Sequence, residues 1–127
     1  MNIKAKICKT NEERHLVFGF ASVSVKDGTT VVDSDGDTIA IEELERAAYD
    51  FVEKSRVGKA DHDGEQIATL IESLVITKEK AQTLGIADNV QGWFIGLKVL
   101  DENVWQKIKN GDYRMFSIGF RAVRRKL

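Results

Sequence analysis

Residues 92–120 read GWFIGLKVLDENVWQKIKNGDYRMFSIGF, and this stretch decides the fold class. WFIGLKVL at 93–100 is an apolar, β-rich run bounded by polar residues, the mark of a strand. Asp101 then offers an N-cap carboxylate to a short helix, ENVWQKIK, whose inward face is Val104, Trp105 and Ile108. Asn110-Gly111 supplies the stop. RMFSIGF at 114–120 returns to a period of two. Phe116, Ile118 and Phe120 share one face, with Ala122 extending the row, and Met115, Ser117, Gly119 and Arg121 share the other. A strand, a short helix and a strand with one apolar face predict an α+β domain rather than an all-helical one.

Reading outward from it, the sequence QIATLIESLVIT at 66–77 predicts another strand. From Ile41 to Arg56, apolar residues recur at Ile41, Leu44, Ala48, Phe51 and Val52, the spacing of a helix. Glu42, Glu43 and Glu45 near its start and Lys54 and Arg56 at its end suit the helix dipole. LVFGFASVSV at 16–25 predicts a long strand followed by the turn KDGT at 26–29. Residues 3–9 and the pair Val31–Val32 predict shorter strands, and 78–92 a polar connection. Pro is absent, so reversals rest on Gly, Asn and Asp. The expectation is one domain over residues 1–127, with a largely antiparallel sheet that curls into a small barrel flanked by helices.

Composition narrows the class of function. At 127 residues with 43% hydrophobic content, the chain is large enough to bury a core. Its formal net charge of -1 argues against a dedicated nucleic-acid binder. The charge is uneven: Lys107, Lys109, Arg114, Arg121, Arg124, Arg125 and Lys126 crowd the last stretch, where Asp112 is the single acid. That edge is either solvated or a surface for an acidic partner. Cys8 is the sole cysteine, which excludes a disulfide within the chain. No apolar run has the length of a membrane span and the start lacks a signal-peptide core, so a soluble intracellular protein is expected.

Five places carry potential chemistry. Asp33, Asp35 and Asp37 stand at alternate positions of VVDSDGD, as in a calcium loop, but an EF-hand needs Gly and Glu where Thr38 and Leu44 stand. A tight acidic turn is the better reading. His15 lies among charged residues and is expected in solvent. His62 lies in the polar loop KADHDGEQI. With no second His or Cys at ligand spacing, no metal or cofactor is expected. Glu72 is the one charge in the alternating row Ala68, Leu70, Glu72, Leu74 and Ile76, and a buried carboxylate there would need a partner. Ser117, His62 and Glu72 together supply the residue types of a nucleophile, its base and an orienting acid. There is no G-x-S-x-G elbow.

The ordered series VFGFASV, VVDSDGDTIAIEELERAAYDFV, DHDG, TLIESLVIT and the 92–120 stretch resembles the phage prohead maturation proteases, in particular the XkdF-like serine protease branch. The likeness runs from about Leu16 to Phe120. It implies a fold similar to the herpesvirus capsid proteases. It also implies a Ser-His endopeptidase that trims scaffold and capsid proteins inside the assembling prohead, in the bacterial host cytoplasm. By this resemblance Ser117 is the nucleophile and His62 the base. The third member in the herpesvirus relatives lies on a later strand, where the tail RAVRRKL has no His, Asp or Glu. Either Glu72 takes that place, which is the preferred assignment, or the pair acts as a dyad, or the segment is truncated. Arg124-Arg125 resembles the relatives' arginine pair in composition only, and no role is carried over to it. The relatives act as dimers, which allows self-association here.

Overall fold

A computed structural model describes the backbone at residues 2–6, 9–11, 14–33, 36–55, 57–59, 66–111, 115–119 and 125–126, and side chains at 14–33, 36–55 and 66–111. The chain forms β1 (Asn2–Lys6), β2 (Lys9–Asn11), β3 (Leu16–Lys26), β4 (Thr29–Thr30), β5 (Asp37–Thr38), α1 (Ile41–Lys54), β6 (Val57–Lys59) and β7 (Gln66–Ile76). It continues with α2 (Lys78–Leu84), β8 (Val90–Val99), α3 (Glu102–Lys109), β9 (Met115–Gly119) and β10 (Arg125–Lys126). This is the expected α+β class.

The main sheet runs β1-β9-β6-β7-β8-β3-β2, with β4 hairpinned onto β3. Every ladder among the described residues is antiparallel. The β3–β4 hairpin turns on Asp27 and Gly28, both at positive φ (52° and 78°), as the KDGT signal predicts. The two outermost strands of the sheet, β1 and β2, are consecutive in the chain. Flat, the sheet would hold them roughly 29 Å apart, at about 4.8 Å per strand. Three residue steps from Lys6 to Lys9 reach at most about 11 Å. The sheet therefore curls strongly, and β1 lies beside β3. No ladder joins β1 to β2 or β3 among the described residues, so the sheet is curled but open.

α1 buries Leu44, Ala47, Ala48 and Phe51 against the middle of this sheet. The facing row is Val17 and Ala21 of β3, Trp93, Ile95 and Leu97 of β8, and Leu70 and Val75 of β7. Phe51 meets Trp93 edge to face at 5.5 Å. The indole Nε1 of Trp93 donates to Ser73 Oγ at 2.8 Å, which satisfies the polar atom of a ring that is otherwise enclosed. α3 seats Val104, Trp105 and Ile108 inward, as expected, and Asp101 caps it by accepting from Val104 N–H at 3.1 Å.

Several expectations are corrected. Val31 and Val32 are not strand, and β4 is Thr29–Thr30 instead. The 78–92 connection contains α2, capped by Thr77 Oγ1 accepting from Lys80 N–H and closed by Gly85 at φ 69°. His15 is half-buried rather than solvated. It stacks on Trp105 at 4.6 Å and takes a positive φ of 57°. The row expected through Glu72 is broken by a bulge between Leu70 and Glu72. Ala68 and Leu70 face the core, but beyond the bulge Val75 takes the core side and Glu72 is exposed.

Candidate active site

Antiparallel pairing places Ser117, in the middle of β9, level with Lys59 on one side and Lys4 on the other. Lys59 is the last residue of β6. His62 follows it by three positions, a chain length of at most about 11 Å. His62 lies outside the described residues, as do Asp63 and the side chain of Ser117. The register thus brings the serine's strand to the end of β6 from which the histidine's segment departs.

Glu72 is reached by the same ladders. Lys59 pairs with Gln66 of β7, so Gln66 stands two strands from Ser117 at the same level. Glu72 lies six residues farther along β7, roughly 20 Å at about 3.3 Å per residue. Its direction matters as well. β6 runs antiparallel to β7, with Val57 opposite Thr69 and Lys59 opposite Gln66. The chain beyond Lys59 leaves past the Gln66 end, while Glu72 lies past the Thr69 end. The backbone does not bring Glu72 to the Ser117 level.

The acidic turn has a structural employment. Asp33 Oδ1 accepts from Asp37 N–H at 2.9 Å, and the Asp33 and Asp37 backbones bond at 2.9 Å. Gly36 takes the positive φ of 79° that the turn requires. Asp37 then opens β5, which pairs with β10. Asp35 lies outside the described residues. Among the described residues no group of three His, Cys, Asp or Glu side chains could hold a metal ion.

One polar cluster was not anticipated. Lys80 Nζ donates to Glu45 Oε2 at 2.6 Å, to Tyr49 Oη at 2.8 Å and to the Val75 carbonyl at 3.2 Å. The Lys80 hydrogen bond holds the Glu45 carboxyl below the usual carboxylate range against the opposing effect of partial burial. Burial works to lower the Lys80 pKa, but the bonds to Glu45 and Tyr49 outweigh it and the amine is raised. The cluster ties α2 to α1 and to the end of β7, and Lys80 lies 35 positions from Glu45 and 31 from Tyr49, too far for a sequence pattern to pair them.

Comparison with known proteins adds the family. A family model described as "putative phage serine protease XkdF" matches residues 4–125. The chain belongs to this family. The match covers nearly all of the 127 residues, so the XkdF-type family includes the β6, β7 and β9 strands that set the Ser117 register. No curated protein and no solved structure matches the chain. Among the described residues no helix is long and apolar enough to cross a membrane.

Proposed function

We propose that this XkdF-family chain is a serine endopeptidase of phage capsid assembly, with Ser117 as nucleophile and His62 as its base. The observation that carries the reading is the Lys59–Ser117 pairing, which sets the serine beside the strand end that leads to His62. Membership of a family of phage serine proteases supports the reaction class. His62 takes the Ser117 Oγ proton as Oγ bonds to the scissile carbonyl carbon. It returns that proton to the leaving amine, and a water then repeats the cycle to release the acyl group. Because Glu72 lies at the other end of the β6–β7 ladder, the pair acts without it. Substrates in this reading are scaffold and capsid proteins of the assembling prohead in the host cytoplasm. In this reading the curled, open sheet is a scaffold related to that of the herpesvirus capsid proteases.

A noncatalytic assembly module on the same fold is the rival, favoured by the sheet edge that β7 leaves exposed at Ile71, Glu72 and Ser73. A fluorophosphonate probe separates the two. Covalent labelling that disappears in Ser117→Ala supports the peptidase. A folded sample that takes no label supports the module.

A further inference from the structure

The long strand β7 has two neighbours for only part of its length. β6 pairs with it at Gln66, Ala68 and Thr69. Beyond Thr69, β8 is its only strand partner among the described residues. At the far end Lys80 covers the Val75 carbonyl. Between these limits, Leu70 to Leu74, lies a bounded window of open strand edge about five residues long. Ile71, Glu72 and Ser73 are all exposed in it, Ile71 by 44%. A groove of about 480 Å³ runs along the window, lined by Ile71, Glu72, Ser73, Leu74 and Phe94. Its apolar wall continues into Phe20, which meets Phe94 edge to face at 5.4 Å.

Exposed edges are commonly blunted by a bulge or a charge, and this one has both, at Ile71 and Glu72. Blunting alone does not account for a solvent-facing isoleucine beside half-buried Leu74 and Phe94. Those side chains give alternating pockets of the kind that select residues of an added strand. Glu72 has no ion-pair or hydrogen-bond partner among the described residues. The groove therefore offers one carboxylate among apolar side chains.

Symmetry decides the kind of occupant. Hydrogen-bonded and non-hydrogen-bonded pairs alternate along an antiparallel ladder. A two-fold axis relating two copies of the edge must then pass through a residue that faces its own copy. Centred on Glu72, it opposes two carboxylates, which is unfavourable. Centred on Ser73, it sets Glu72 against Leu74 of the second copy, and Ile71, in the bulge, offers no regular pairing position. No such register within the window gives Glu72 a cation.

We propose that the β7 edge from Leu70 to Leu74 docks an extended segment of a partner protein, added as a strand, with a Lys or Arg opposite Glu72 and apolar side chains on either side of it. The site lies roughly 20 Å along the sheet from the Ser117 level and is independent of catalysis there.

The test is panning of the full chain against a displayed library of random linear nonapeptides, followed by titration of the selected peptides by fluorescence anisotropy. The expected consensus has one basic residue with apolar residues two positions to either side. Glu72→Lys should weaken these peptides by about three- to tenfold, and replacing their basic residue with Glu should restore binding to that variant. Ile71→Asp should weaken them with no loss of melting temperature, since the side chain is exposed. The proposal is overturned by an absence of enrichment, by selected peptides without a basic residue, or by binding indifferent to Glu72→Lys and Ile71→Asp. It is also overturned if sedimentation shows a dimer that Ile71→Asp dissociates, because the edge would then belong to a second copy.

Discussion

Lys59 stands opposite Ser117 across the β6–β9 ladder. This pairing converts a separation of 55 residues between His62 and Ser117 into a short chain reach. If the two act as one unit, their substitutions will not add. His62→Ala should slow fluorophosphonate labelling by about 10²–10⁴-fold, the usual span for a lost general base. Ser117→Ala should abolish labelling. In a peptide-hydrolysis assay the double variant should be no slower than Ser117→Ala alone, since residues of one catalytic unit are strongly non-additive. Additive losses in that assay would show that the two side chains work apart.

The β3–β8 ladder predicts a backbone-limited position. A Cβ added at Gly92 would sit 2.3 Å from the Ser22 carbonyl oxygen and 2.8 Å from Val23 Cα. Both are main-chain atoms beside the irregular register of β3, so no side chain can rotate away. Gly92→Ala should destabilise the domain by about 2–3 kcal/mol or more, read as a fall in the urea midpoint at unchanged slope. At Gly96 the nearest atoms belong to the Phe18 ring, at 2.9 and 3.0 Å. Gly96→Ala should therefore be milder, because part of that contact can relax. Equal losses at the two glycines would contradict this distinction.

Trp93 tests the polar contact inside the core. Trp93→Phe keeps a ring against Phe51 but deletes the Nε1 donor to Ser73. Ser73 lies on the exposed stretch of β7, where water can replace that donor. The loss should be about 1–2 kcal/mol in chemical denaturation, mostly from the smaller ring. Trp93→Ala should cost about 3–5 kcal/mol because it leaves a cavity beneath α1. Near-equal melting of the two variants would place the stabilisation in the hydrogen bond and not in the packing.

Local signals carried most of the fold. Asp101, Val104, Trp105, Ile108 and Gly111 announce α3 within eleven residues, and Asp27-Gly28 announces a hairpin within two. What escaped depends on structure outside the window. The bulge at Ile71 has no glycine to mark it, so strict alternation carried Glu72 into a core row that ends at Leu70. α2 has one buried apolar residue, Ala81, and therefore no periodicity, so 78–92 reads as a polar connection. His15 reads as a charged-loop histidine because Trp105, on which it stacks, is ninety positions away. For the candidate site, residue types offered Ser117, His62 and Glu72 alike, and Glu72 was chosen by chemistry with no knowledge of register. Only the β6 pairings show that it lies at the far end of the ladder.

The Lys80 cluster gives stability a pH dependence of definite sign. Glu45 is lowered in the folded state, so its contribution is present above the unfolded carboxylate pKa and is lost as pH falls through the folded value. Lys80 is raised, so its contribution is present below the unfolded amine pKa and is lost as pH rises through the folded value. The pair should therefore stabilise the domain between about pH 5 and pH 10. Both side chains keep near 30% of their surface in solvent, so the coupling should be modest, about 1 kcal/mol. A double-mutant cycle of Glu45→Gln and Lys80→Met at neutral pH measures it, and repeating the cycle near pH 3 should shrink it toward zero. Lys80→Met also strips the Val75 carbonyl of its lysine donor, a loss that survives at low pH. A coupling that persisted unchanged near pH 3 would mean that packing, and not charge, joins α2 to α1.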